Sequence, residues 1–159
     1  MKSIEQLASE FDSLLKPLST YVAPRPTESS LQRIHAHFGI SLPRDLVEFA
    51  ALSRHFGHWF ASLGEDYTSP QHIIRINSYW RRRRRTRAIP KNLIIINIGF
   101  DDDLDCLDMA SLSPATGEYS IRYWSPGVDS AGVRVYSSFL EYVEEMTSSW
   151  AGVEQPCTT

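Results

Sequence analysis

The chain has 159 residues, of which 42% are hydrophobic and 22% charged, a balance typical of one globular domain and unlike that of disordered or fibrous proteins. No apolar run approaches the ~20 residues that a membrane-spanning helix requires. The formal net charge of −3 conceals an asymmetry: without the six arginines at positions 81–85 and 87, 10 basic residues face 19 acidic ones, so the rest of the chain carries −9.

Two helices are predicted near the start of the chain. Apolar residues three and four apart predict an amphipathic helix over residues 3–16, and Ser3 and Gln6 have the spacing of a capping box. A second helix is predicted over residues 27–38, followed by Gly39 as a left-handed C-cap.

The middle of the chain predicts two further helices and a strand. Pro43 opens the third helix and fits its first turn, where no N–H is needed for the helical ladder. Residues 58–63 predict a short strand. Ser69-Pro70 predicts the start of a fourth helix, and the arginine run lies at its C-terminal end, where the helix dipole favours cations.

The second half of the chain predicts a sheet and a closing helix. Residues 93–98 are a continuous apolar run typical of a buried strand, and shorter strands are predicted over 104–109, 118–124 and 133–136. A helix follows over 138–150. We therefore expect one α+β domain over residues 1–150, with a mainly antiparallel central sheet packed by N-terminal helices and a C-terminal helix, and a flexible tail over 151–159.

The compartment is expected to be the cytoplasm. The first residues lack the unbroken apolar segment of a signal peptide. The two cysteines, Cys106 and Cys157, predict no disulfide, because Cys157 lies in a polar tail, and two free thiols suit a reducing environment.

An acidic cluster follows the first predicted strand and consists of Asp101, Asp102, Asp103, Asp105 and Asp108. The first carboxylates match the opening ligand positions of a calcium loop, but Cys106 replaces the required glycine and Leu112 the required glutamate, which disfavours that interpretation. A solvated turn and a contact surface for a basic partner such as a nuclease stay open. The contact hypothesis assigns partner binding to Asp101, Asp102, Asp103 and Asp105.

The basic run consists of Arg81, Arg82, Arg83, Arg84, Arg85 and Arg87. It could neutralise the phosphates of a nucleic acid or act as a nuclear-import signal, and a solvated helix end explains it equally well. The neighbouring sequence has neither zinc-finger spacing nor an aromatic RNA-binding motif. Nucleic-acid binding is therefore the alternative interpretation.

Positive signals for catalysis or for a cofactor are lacking. The chain has neither a serine nucleophile elbow nor a glycine-rich phosphate loop. Cys106 lies within a predicted strand beside Asp105, whose charge raises a thiol pKa, so the interpretation is a structural thiol. His55 and His58 are spaced for a metal only if helical, and a third ligand is lacking nearby. We expect no catalytic residues, no metal and no cofactor.

A series of short motifs makes the chain recognisable. The motifs, in order, are Phe38-Gly39 with Leu42-Pro43-Arg44-Asp45 and Phe49, then Ile89-Pro90 before residues 93–99, then Cys106-Leu107-Asp108, then Tyr123-Trp124, and finally Ser138-Phe139 with the apolar residues that follow. Their order and spacing over residues 27–150 resemble the SUKH superfamily of Smi/Knr-type proteins. Residues 53–57 depart from it, because the family usually has an asparagine-glycine-glycine-like turn there.

The resemblance implies a binding module that needs no cofactor. Bacterial members of the superfamily are largely immunity proteins that bind and neutralise a cognate toxin domain, often a nuclease, and fungal members regulate cell-wall synthesis and signalling through protein partners. The expectation is a non-catalytic immunity protein whose partner is a toxin domain. The alternative is a nucleic-acid-associated or signalling regulator that uses the run from Arg81 to Arg87.

Overall fold

A computed structural model describes residues 2–16, 22–66, 69, 72–82, 89–99, 103–125 and 135–152. The helices in these ranges are α1 (Ile4–Leu15), α2 (Glu28–Phe38), α3 (Arg44–Leu52), α4 (Phe56–Trp59), α5 (Ile73–Arg82) and α6 (Phe139–Ala151). The strands are β1 (Leu93–Ile98), β2 (Leu104–Asp108), β3 (Ile121–Trp124) and β4 (Val135–Tyr136), and a 3-10 turn spans Met109–Ser111.

The four strands form one sheet in the order β1-β2-β3-β4, and each neighbouring pair is antiparallel. Ile94 lies opposite Leu107, Leu107 opposite Ile121, and Ile121 opposite Tyr136, so one row of buried side chains crosses the whole sheet. The expected α+β fold with an antiparallel central sheet is confirmed.

Aromatic packing joins the N-terminal helices to the C-terminal helix. Phe49 of α3 contacts Phe11 of α1 and Phe139 of α6, with ring centroids 5.4 and 5.5 Å apart. Phe60, which follows α4, stacks on Phe11 at 5.6 Å. All four rings are at most 2% exposed. Aromatic pairs of this kind add about 0.5–1.5 kcal/mol each beyond their buried area, so this cluster fixes the helices against one another.

The outer edge of β1 is closed by side chains and by a neighbouring segment. The Asn77 amide of α5 donates to the Ile95 carbonyl at 2.9 Å and accepts from the Ile95 N–H at 2.8 Å. Arg81 donates to the Leu93 carbonyl at 2.9 Å, and the Ala61 N–H donates to the Ile96 carbonyl at 2.7 Å. Because an open edge pairs with other chains, these bonds protect β1 from strand addition.

The capping predictions at Ser3 and Gly39 are confirmed, but the predicted helix start at Ser69-Pro70 is wrong, because α5 begins at Ile73. Several other boundaries are also wrong. Ser3 and Gln6 form the expected capping box, and Gly39 has φ +74°. The predicted strand over 58–63 is wrong, because α4 occupies residues up to Trp59 and single bridges at Phe60 and Ser62 follow.

Residues 56–59 form a helical turn because of aromatic contacts with a residue outside the segment. Phe56 and Phe60 stack at 5.0 Å, and both contact Phe49. A helical turn is what brings residues four apart onto one face, so this shared contact overrides the local strand preference.

Smaller corrections concern element ends. Pro43 lies at the N-cap and not in the first turn of α3, and β3 begins at Ile121 and not at Glu118. Met109 belongs to the 3-10 turn and not to β2. Pro70, residues 133–134 and Cys157 lie outside the described residues.

Candidate partner-binding surfaces

Asp105 is held inside the fold by two hydrogen bonds. It lies on β2, where the Tyr142 hydroxyl of α6 donates to Oδ2 at 2.6 Å and the Asn97 amide of β1 donates to the same oxygen at 3.0 Å. Burial raises the pKa of the Asp105 carboxyl above its ordinary value, and also raises the pKa of the Tyr142 hydroxyl. Asp105 therefore ties the sheet to α6, and its side chain is partly buried.

Asp103 belongs to the turn between β1 and β2 and is partly exposed. Its carbonyl accepts from the Gly99 N–H at 2.7 Å, which closes the turn. A side-chain hydrogen bond to Asp103, followed by burial, raises the pKa of Tyr123 to about 12. Tyr123 lies opposite Asp105 in the sheet and is partly exposed, so a carboxylate and a phenol stand together at this end of the strands.

The other members of the acidic cluster differ in position. Asp108 is 5% exposed, accepts from the Asn92 amide at 2.7 Å and forms an ion pair with Arg122 at 3.2 Å. Those contacts make it structural. Asp101 and Asp102 lie outside the described residues. The structure thus places Asp103 and Asp105 two residues apart and leaves both partly exposed, and the Asp105 carboxylate is engaged by Tyr142 and Asn97.

The basic run begins at the C-terminal end of α5. Arg81 is anchored to the Leu93 carbonyl, as described above, and Arg82 donates to the Ser78 carbonyl at 3.2 Å. Both side chains are exposed. Arg83, Arg84, Arg85 and Arg87 lie outside the described residues.

An exposed tyrosine accompanies the basic run, and the sequence interpretation missed it. Tyr79 of α5 is 60% exposed, and Arg75 and Arg82 lie four residues before it and three after it, on the same side of the helix. The helical spacing of Arg75, Tyr79 and Arg82 was the available signal. Tyrosine and arginine together are enriched at protein interfaces.

The buried ionisable groups have structural surroundings. Cys106 is fully buried, and burial, followed by the charge of Asp105, raises the pKa of its thiol far above the ordinary value. That finding agrees with the predicted structural thiol. Burial also raises the pKa of Glu118, which is bonded to the Asp45 backbone at the start of α3. In the described ranges, no three His, Cys, Asp or Glu side chains are grouped so that they could hold a metal ion.

None of the helices in the described part of the chain combines the length and the hydropathy needed to cross a bilayer.

Comparison with known proteins gives a family and a fold. The family model described as SMI1 / KNR4 family (SUKH-1) matches residues 25–145. No curated protein matches the chain. A crystal structure of a protein from Pseudomonas syringae pv. tomato is similar, with a TM-score of 0.63 and 15% identity over 89% of this chain and 96% of that one. At this identity the likeness shows a shared fold.

Proposed function

The chain belongs to the SMI1/KNR4 family (SUKH-1), and from this premise we propose that it is a cytoplasmic, non-catalytic immunity protein that binds and neutralises a cognate bacterial toxin, often a nuclease in such systems. The observation that carries the proposal is the family match over residues 25–145, which spans the sheet, α2 to α5 and the start of α6. The toxin would be blocked by occlusion, which requires a preformed surface and no chemistry.

The end of the sheet around Asp103 and Tyr123 is the proposed contact surface. A nuclease site attracts phosphate, so a carboxylate beside a phenol offers it complementary charge and an aromatic contact. Hydrogen bonds from Tyr142 and Asn97 hold Asp105 in place, and Asp105 in turn fixes the neighbouring part of β2 that carries this surface. Asp101 and Asp102, which lie outside the described residues, remain proposed contacts because they precede Asp103 in the acidic cluster.

A growth assay tests the proposal. The chain is expressed in a bacterial host together with the toxin domain encoded beside its own gene. We expect rescue of growth and the formation of a stable complex. Failure to rescue or to bind any toxin domain from its gene neighbourhood contradicts the proposal.

A kinetic measurement tests the surface. Asp101→Asn with Asp102→Asn and Asp103→Asn removes three negative charges, and association at low salt should slow about tenfold, because steering depends on local charge. The matched control removes three exposed carboxylates of α1 and α2, as Glu5→Gln, Glu10→Gln and Glu28→Gln. Equal effects of the two triple variants would remove the acidic turn from the interface.

Tyr79 supports a second candidate function, in which α5 and the basic run bind a nucleic acid. The exposed ring could stack on a base while the arginines neutralise phosphates. The test is a salt-dependent shift of labelled RNA or DNA that is lost when Arg82–Arg85 and Arg87 become alanine. Arg81 is left unchanged because it bonds the β1 edge. Absence of a shift at low salt eliminates this candidate.

A further inference from the structure

A groove lies where the C-terminal half of α1 meets the connector before α2 and the loop after α3. Its walls include an acidic side chain, three basic side chains, an imidazole and an exposed leucine, which are Asp12, Lys16, Arg25, Arg54, His55 and Leu52. These residues do not overlap with the acidic turn or with α5. The groove is therefore a separate part of the surface.

Asp12 organises the loop that forms one wall. Its carboxylate accepts from the Ser53 hydroxyl at 2.6 Å, from the Arg54 N–H at 2.8 Å and from the His55 N–H at 3.1 Å. A carboxylate has about four acceptor positions, so three internal donors use most of its capacity. Asp12 consequently fixes the loop, and few of its acceptor positions remain free for a hydrogen bond from a nearby cation.

The cations along the groove have no carboxylate partner. Lys16, Arg25 and Arg54 are all exposed, and none of them forms an ion pair with the described residues. The other carboxylate on the rim, Glu5, is bonded to Ser3 at the start of α1. With three cations and two carboxylates the lining carries a net charge of +1 (3 − 2) on a chain whose total is −3, and its cations lack partners, which points to an anionic ligand.

One further feature describes that ligand. Leu52 is 40% exposed on the wall of the groove, although it is a large aliphatic side chain. The groove thus combines charged side chains with one apolar contact, a mixture that suits a peptide better than an isolated ion.

We propose that this groove binds an acidic segment of a partner protein, with two or more carboxylates paired to Lys16, Arg25 and Arg54 and an aliphatic side chain packed on Leu52. A nucleic acid fits less well, because the described lining contains no phenylalanine, tyrosine or tryptophan on which a base could stack. The inference concerns a different surface from the toxin-binding one and does not depend on the proposed immunity function.

The test uses a short labelled peptide that alternates glutamate with leucine, a counterpart with glutamine in place of glutamate, and the full chain. In fluorescence anisotropy at low salt, the glutamate peptide should bind saturably and the glutamine peptide much more weakly. Arg25→Gln with Arg54→Gln should weaken binding of the glutamate peptide about threefold to tenfold, the range for losing two exposed ion pairs. Leu52→Ser should also weaken it, without a change of charge.

The matched control is Arg44→Gln with Lys91→Gln, which removes the same charge from exposed positions outside the groove. An equal loss in this control and in the groove variant would show general charge attraction and overturn the proposal. So would equal binding of the two peptides, or no binding of either. A labelled oligonucleotide that binds the groove more tightly than the glutamate peptide would also overturn it, in favour of nucleic-acid binding. Circular dichroism should show that all variants are folded, because neither Arg25 nor Arg54 makes a side-chain hydrogen bond in the described structure.

Discussion

Asp12→Ala tests how the loop after α3 is held. The substitution removes the acceptor of three hydrogen bonds while leaving α1 with a better helix former. Ser53 is 4% exposed, so its hydroxyl would lose its partner in a place that water reaches poorly. The backbone N–H groups of Arg54 and His55 are nearer the surface, and water can replace part of their loss.

The size of the effect follows from these positions. A buried hydroxyl left without a partner costs about 1–3 kcal/mol, and a hydrogen bond to a charged group contributes about 1.5–3 kcal/mol net, with smaller values where water can replace the lost partner at the surface. Alanine returns about 0.5 kcal/mol of helix propensity. We expect the free energy of unfolding to fall by about 2–4 kcal/mol, which for a chain of this length lowers Tm by about 4–16 °C.

Urea denaturation followed by tryptophan fluorescence measures this change. The control is Glu10→Ala on the same helix, whose carboxylate forms one exposed ion pair with Lys2 and should contribute less than about 1 kcal/mol. Ser53→Ala completes a double-mutant cycle with Asp12→Ala, and a coupling near 1 kcal/mol is expected. A loss below about 0.5 kcal/mol for Asp12→Ala would refute the view that this carboxylate fixes the loop.

Three further substitutions test the interior. Asn77→Ala should destabilise the chain by about 3–5 kcal/mol in urea denaturation, because it leaves both buried polar groups of Ile95 without partners, and a loss under about 1 kcal/mol would contradict this. Burial raises the pKa of Asp105 from 3.8, so the folded state holds the proton more firmly and stability falls as pH rises through that raised pKa. Asp105→Asn should flatten this slope in denaturant titrations at a series of pH values; an unchanged slope would assign it to another group. Burial lowers the pKa of His72 from 6.5, so the unfolded state binds the proton more firmly and stability falls as pH drops below 6.5. His72→Gln should reduce that acid sensitivity, and equal sensitivity in both proteins would argue against it.

Local patterns predicted the elements whose signals lie within a few residues. The capping box at Ser3 and Gln6, the left-handed Gly39 and the buried strand β1 all depend on neighbours in the sequence. The α+β class followed from the order of these elements. Such features are visible in one sequence because the contacts that fix them span at most one turn or one strand.

Contacts between residues that are distant in the sequence could not be predicted from local patterns. Asp105 was interpreted as a possible partner contact, and the hydroxyl that binds it lies on Tyr142, 37 residues later. Asp12 is bonded to a loop more than 40 residues away, and a charged residue on an exposed helix face gives no sign of such a role. The helical turn α4 depends on Phe49, which lies outside the segment.

The two described arginines of the basic run show a related difficulty. A run of like charges is uniform in sequence, yet Arg81 bonds the β1 edge while Arg82 bonds its own helix. The sheet edge assigns these different roles, and that edge is built from residues more than ten positions away. The sequence therefore suggested one shared role for the arginines, whereas Arg81 and Arg82 have different partners.

The most direct test of the account is calorimetric titration of the chain with the purified toxin domain encoded beside its gene. We predict saturable, equimolar binding by the chain with no metal or cofactor added, together with loss of the toxin's activity as the complex fills. A folded toxin domain that gives no binding heat and keeps its full activity in the presence of excess chain would contradict the central claim.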